Sequence, residues 1–219
     1  MKNTAAFQSR EYDIKIKQTL PYYEEFYDQI IDVVKCYFDN KISWLDVGCG
    51  TGKMAELGLE VSNRFVFLDN SADMIDIARN QINSDKAEFV LGSVNDMDYE
   101  NEFDIITAVQ VFHYLSVDER RTAIQKCCNA LRSNGIFITF ENFAPDTAMM
   151  KQIYLDRWKR YQINNGKSAE EADRHIERYG KDYFPISIDE HKRLLNNCGF
   201  RSAELLWCSY MQVGILGIK

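Results

Sequence analysis

Residues 44–52 read Trp-Leu-Asp-Val-Gly-Cys-Gly-Thr-Gly, and residues 65–69 read Phe-Val-Phe-Leu-Asp. An apolar strand therefore runs into a turn carrying Gly48, Gly50 and Gly52, and a second apolar strand ends on Asp69. Glycine tolerates positive φ and lets a ligand approach the main chain closely. Such a turn opens a helix, whose first N–H groups favour a carboxylate or phosphate. An acid at the end of the next strand is placed to accept hydrogen bonds from two ribose hydroxyls. Glycine loop and acid together predict a site for a nucleoside-bearing ligand. Lys53 stands where a dinucleotide fingerprint would carry its last glycine, and Gly52-Lys53-Met54 offers no hydroxyl for magnesium, so both phosphate-loop readings weaken.

Strand and helix patterns alternate around these residues. Apolar runs predict strands at 43–47, 64–68, 87–91, 103–109 and 135–140, with helices at 53–59, 74–82 and 118–131 between them. Asp118 is placed to cap the third of these helices, and 132–135 (Arg-Ser-Asn-Gly) to stop it. Before them, Tyr22, Phe26, Ile30, Val33, Val34 and Phe38 recur at helical spacing after Pro21. This order predicts an α/β fold: a doubly wound, mostly parallel sheet with right-handed crossovers. After Phe143 the rhythm changes to helix over 146–182, a helix at 187–197 and a terminal strand pair at 202–208 and 211–218. The chain divides into an N-terminal helical cap (1–40), a core (41–145), an inserted helical lid (146–200) and the strand pair (201–219), all in one domain.

With 219 residues, 46% of them hydrophobic and 27% charged, the chain can bury a core and stay in solution. A net charge of −7 argues against a general nucleic-acid surface. The basic residues of 157–193 are interrupted by acids, as on a solvated amphipathic helix. No apolar run is long enough for a membrane span, and the first residues lack a signal-peptide core, which predicts a cytoplasmic protein. The six cysteines lack metal-clamp spacing, so no metal is expected.

Residues 45–52 (Leu-Asp-Val-Gly-Cys-Gly-Thr-Gly) resemble the first motif of class I S-adenosylmethionine-dependent methyltransferases. Asp69 with the following Asn70, Ser71 and Met74 resembles the second motif, and the stretches 103–108, 112–115 and 131–137 resemble the family's later segments. The resemblance implies a seven-stranded sheet whose last strand is antiparallel, with S-adenosylmethionine as cofactor and S-adenosylhomocysteine as product. It implies that Gly48, Cys49 and Gly50 line the methionine moiety and that Asp46 helps hold its ammonium. Asp69 would bind the ribose, with Asn70 and Met74 flanking the adenine and Ser93 and Val94 at its edge. Val109 and Gln110 would form the floor near the sulfonium, and Tyr12 resembles an N-terminal tyrosine that reaches the donor pocket. Where many members carry an acid after the third strand this chain has Ser93, so its hydroxyl, a backbone N–H or Asp96 must serve instead.

Methyl transfer from a sulfonium needs an acceptor held in line with the C–S bond, and a base only where a proton must leave early. His113, after the fourth strand, is the best base candidate, against a reading in which it packs beneath the cofactor. Glu141, placed just past the fifth strand, could orient the acceptor or be a solvated strand-end acid. His175 and His191 fall on expected surface helices. The aromatic set of Tyr22, Tyr23, Phe143, Tyr154, Trp158, Tyr161, Tyr179, Tyr183 and Phe184 could face the acceptor or fill the space between lid and sheet. The leading expectation is a methyltransferase acting on a small-molecule acceptor, with no direct contact to nucleic acid or membrane. The alternatives are an RNA-modification enzyme, a synthase of carboxylated S-adenosylmethionine, and a non-catalytic binder.

Overall fold

The computed structural model describes residues 12–219, with side chains from Lys15 onward. Seven strands form one sheet: β1 (Ile42–Val47), β2 (Ser62–Asp69), β3 (Ala87–Leu91), β4 (Phe103–Val109), β5 (Leu131–Asn142), β6 (Ser202–Ser209) and β7 (Gln212–Ile218). Their order is β3-β2-β1-β4-β5-β7-β6. The first five pair in parallel, and β7 runs antiparallel to both β5 and β6. Chain order turns back on itself between β1 and β4. In such a sheet the crevice past the carboxyl ends of those two strands is where ligands bind.

Every residue of β1 is buried, as a strand covered on both faces requires. On one face Trp44, Phe65, Phe67 and Phe89 stack ring on ring across three strands, with centroids 5.2, 4.3 and 5.3 Å apart. Helices α1 (Tyr12–Thr19), α2 (Tyr23–Tyr37) and α3 (Ala55–Val61) come before or beside this face, and Phe26 of α2 stacks on Phe140 of β5 at 4.7 Å. The other face carries Leu45, Val47, Ile106 and Phe137 beneath α5 (Val117–Ala130) and α8 (Ile188–Asn197). Helix α4 (Ala72–Gln81) follows β2, and its Ser71 cap accepts the Met74 N–H.

The helix start predicted at Asp118 lies two residues earlier. Ser116 caps α5, accepting from the Glu119 N–H while the Glu119 carboxylate takes the Ser116 N–H, a reciprocal box that Asp118 could not complete. Helices α6 (Ala148–Asn164) and α7 (Ala169–Ile176) form the lid, divided at Gly166, whose φ is +99°. The lid is tied to α1, because Trp158 donates its indole N–H to the Thr19 carbonyl at 2.6 Å.

Candidate active site

The glycine loop leaves β1 with Gly48 and Gly50 at φ +65° and +56°. A Cβ at Gly48 would collide with the Val111 side chain, whereas one at Gly50 would meet no atom within 4 Å, so the loop backbone faces open space there. The Gly48 and Cys49 N–H groups bond back to the Leu68 carbonyl at 2.7 and 3.1 Å. Asp69 then clamps the loop from the neighbouring strand. One carboxylate oxygen accepts from Gly50 N–H and the other from Ser71 N–H, each at 2.9 Å. Burial pushes its pKa up, against the lowering effect of these backbone bonds.

Beyond the loop lies a cavity of about 530 Å³. Gly48, Gly50, Asp69, Asn70, Met74, Ser93, Val94, Val109 and Gln110 line it together, so most of the expected cofactor set converges on one space. Gln110 is held at φ +59° by bonds from its backbone and side-chain nitrogens to the Phe140 carbonyl, at 2.7 and 3.2 Å. Such a left-handed non-glycine residue is a strain that clusters at functional sites. Asp46 and Cys49 line an adjoining recess that shares Gly48, Gly50, Val109 and Gln110 with the cavity. Asp46 accepts the Thr107 hydroxyl at 2.7 Å, which in turn accepts the Trp44 indole N–H at 2.9 Å. Burial holds the Asp46 carboxyl at about 7, with the Thr107 bond pulling down and the Asp69 charge pushing up.

Sequence reasoning missed Tyr27 here and named Tyr23 only within the aromatic set; both rings line the recess, with hydroxyls 2.6 Å apart. A helical i, i+4 tyrosine pair was the available signal. Tyr12, expected to reach the donor pocket, has its side chain outside the described residues.

A match to a family model places this architecture. The model of a methyltransferase domain matches residues 45–135. The match assigns that stretch, rather less than half of the chain, to a methyltransferase domain. Among curated relatives, the carboxy-S-adenosyl-L-methionine synthase of Staphylococcus epidermidis is 23% identical over 96% of this chain and 93% of its own length. The protein of the same name from Helicobacter hepaticus is 25% identical over 90% and 85%. Among solved structures, an S-adenosylmethionine-dependent methyltransferase of Mesorhizobium loti superposes with a TM-score of 0.62 at 14% identity, covering 86% of this chain and 96% of that one. The residues present fit a nucleoside cofactor: the open backbone at Gly50 and the buried Asp69 carboxylate both border the cavity of about 530 Å³.

His113 and Glu141 lie elsewhere. Glu141 is inside β5 rather than past it, wholly buried, and its expected exposure at a strand end is corrected. Its carboxylate accepts four bonds: Phe112 N–H (3.1 Å), His113 N–H (2.9 Å), His113 Nδ1–H (2.6 Å) and the Thr139 hydroxyl (2.7 Å). Burial opposes ionisation, but the His113 bond and charge and the Thr139 bond hold its pKa at about 2. Neither residue lines the cavity. They fix the 3-10 turn 112–114, from which Tyr114 reaches the cavity wall.

The far wall comes from the lid. Trp158, Tyr183 and Phe184 line it, while Tyr154 and Tyr161 pack on Phe143 and Tyr210 instead. His175 does not sit on a solvated face as expected; it lines the cavity with Arg178, Lys181 and Asp182. His191 is buried as well, 2% exposed, because it falls on the core stripe of α8 with Leu195. Arg120, also buried, ties the walls together by donating to the Phe112 and Phe184 carbonyls at 2.9 and 2.5 Å. Among the described residues no metal-binding cluster occurs, and no helix is long and apolar enough to cross a membrane.

Proposed function

We propose that this protein transfers a methyl group from S-adenosylmethionine to a small-molecule acceptor. The observation that carries this reading is the single cavity joining the glycine loop and Asp69 to the aromatic wall of Tyr114, Trp158, Tyr183 and Phe184. Its volume suits a nucleoside donor with a small second ligand. The donor supplies an activated methyl on its sulfonium when bound. Asp69 takes the ribose hydroxyls, Met74 and Asn70 flank the base with Ser93 and Val94 at its edge, and Asp46 takes the ammonium. Val109 and Gln110 form the floor beside the reacting centre. The lid aromatics align the acceptor and keep water out, so positioning supplies most of the rate. His113 and Glu141 act as supports for the Tyr114 turn. The cavity is open to a donor rather than filled by side chains, which favours an enzyme over a non-catalytic binder. A cytoplasmic site of action belongs to the same reading, in keeping with the unbridged cysteines.

A second reading is favoured by one observation: curated relatives aligned over most of both chains carry the name carboxy-S-adenosyl-L-methionine synthase. In that case the donor's sulfonium methyl gives up a proton and its carbon takes a carboxyl group whose C–C bond to the second ligand breaks, so the methyl stays on the donor. Mass spectrometry of the nucleoside after incubation with a panel of small acceptors separates the two. S-adenosylhomocysteine above the no-acceptor baseline supports methyl transfer, and a carboxylated donor supports the second reading. Unchanged S-adenosylmethionine with every partner, including oxo acids, overturns both.

The donor's ammonium favours the ionised form of Asp46, whose carboxyl titrates at about 7 in the free protein. Donor binding is therefore expected to strengthen as pH rises through 7, and to weaken by up to about tenfold per unit below it. Calorimetric titration in two buffers of different ionisation enthalpy should show proton release near pH 7. Affinity that is flat with pH, with no proton released, removes Asp46 from the ammonium.

A further inference from the structure

We infer that His175 binds the acceptor, as a neutral imidazole presenting its Nε2–H to a hydrogen-bond-accepting oxygen on the second ligand. This rests on the two-ligand reading of the cavity and extends it to the acceptor's chemistry. The case begins one shell behind the cavity, at the fully buried Gln162 of α6. Its amide lies between two groups, with Lys167 Nζ 2.9 Å from Oε1 and His175 Nδ1 3.1 Å from Nε2. An ammonium can only donate, so the amide oxygen must face Lys167. The amide NH₂ then faces the imidazole, and Nδ1 must accept. The ring proton of the neutral form is thereby fixed on Nε2.

The ring plane is fixed too. Trp158 meets it edge-on at 4.8 Å, and Tyr183 lies nearly parallel at 6.2 Å. His175 lines the cavity, and its Nε2 has no hydrogen-bond partner among the described residues. A second proton on Nδ1 would set two donors head to head against Gln162. Burial, and then the charges of Lys167 and Arg178, also disfavour the cation. His175 is thus a poor base and a well-placed donor. An ammonium acceptor would meet an N–H there, with Arg178 and Lys181 on the same cavity, whereas a carbonyl, carboxylate or phenolic oxygen would be held.

The test has two parts. Nitrogen-15 NMR of the histidine rings in the free protein reads the tautomer before any nucleoside is added. A neutral ring with its proton on Nε2 at neutral pH is expected; an Nδ1–H tautomer or a cation overturns the inference. Gln162→Leu should mix the tautomers. The protein saturated with S-adenosylhomocysteine is then titrated with benzoate, 4-hydroxyacetophenone and benzylamine. The oxygen-bearing fragments should shift the His175 resonance and bind at least about tenfold tighter than the amine, the scale of one good hydrogen bond. His175→Phe should erase that preference and His175→Gln, which keeps an N–H donor, should retain it. Equal binding of the amine, or a preference that survives His175→Phe, overturns the inference. Failure of S-adenosylhomocysteine to bind overturns the transferase reading instead, and the tautomer measurement stands apart from it.

Discussion

Asp69→Ala is expected to weaken S-adenosylhomocysteine binding by about two to three orders of magnitude while the protein stays folded. Two ribose hydroxyls would lose a charged acceptor, each bond being worth about 1.5–3 kcal/mol at most, and a tenfold change in affinity corresponds to about 1.4 kcal/mol. The loop contributes as well: the carboxylate also holds the Gly50 and Ser71 N–H groups, so its removal loosens the backbone that cradles the ligand. Folding should suffer much less. Burial raises the Asp69 pKa, so the native state pays to keep the group ionised, and alanine removes that cost along with the two bonds. Asp69→Asn keeps one acceptor oxygen and should fall between alanine and wild type. Calorimetric titration gives the affinities, and a thermal melt without ligand shows whether the fold survives. A change of less than about threefold in the alanine variant, in a folded protein, would remove the ribose from Asp69.

Most of the sheet and the glycine-loop end of the cavity were legible because their signals are local. Strand runs covered on both faces read as unbroken apolar stretches, and the glycine loop with its acid spans 25 consecutive positions or fewer. The start of α5 was legible too, but it was misread. Asp118 and Ser116 are both good caps, and only Ser116 has a glutamate three residues on; the same Ser-x-x-Glu signature opens α7 at Ser168 and α8 at Ser187. His191 follows the same lesson. Its charge-rich neighbours suggested a surface helix, yet Ile188, His191 and Leu195 keep the i, i+3, i+7 spacing of a buried stripe.

What could not be read were contacts made across elements. His113 and Glu141 are 28 residues apart, and they meet only because β4 and β5 pair with Val109 opposite Phe140. That register sets Glu141 one step beyond the end of β4, under the turn that carries His113. The Lys167–Gln162–His175 line depends in the same way on how α6 and α7 fold back at Gly166. No spacing rule in a single sequence supplies that geometry. The glycine-loop end of the cavity was therefore visible in advance, while the opposite wall was visible only as a list of aromatic residues.

The register also determines what Glu141 does, and the second large effect is expected there. Glu141→Ala leaves three buried donors without an acceptor, two backbone N–H groups and an imidazole N–H, while the Thr139 hydroxyl keeps the Ala108 carbonyl. Breaking a buried charged cluster by deleting one partner costs about 3–5 kcal/mol. For a chain of this size that lowers the melting temperature by about 10 °C. The pH dependence identifies the group responsible. The carboxyl is held at about 2 in the folded protein, against a reference value of 4.5. Its stabilisation is therefore complete above 4.5 and is lost as pH falls towards 2. Wild type should show that acid slope, and Glu141→Ala should lack its share of it. Glu141→Gln keeps the shape but turns an NH₂ towards groups that themselves donate, so it should recover only part of the stability. Donor affinity at temperatures where the variants remain folded should fall modestly, because Tyr114 and Val111 shift with the loosened turn. A Glu141→Ala protein that melts with wild type yet loses turnover would give the opposite result, and would return Glu141 to the acceptor chemistry that its position at the end of β5 first suggested.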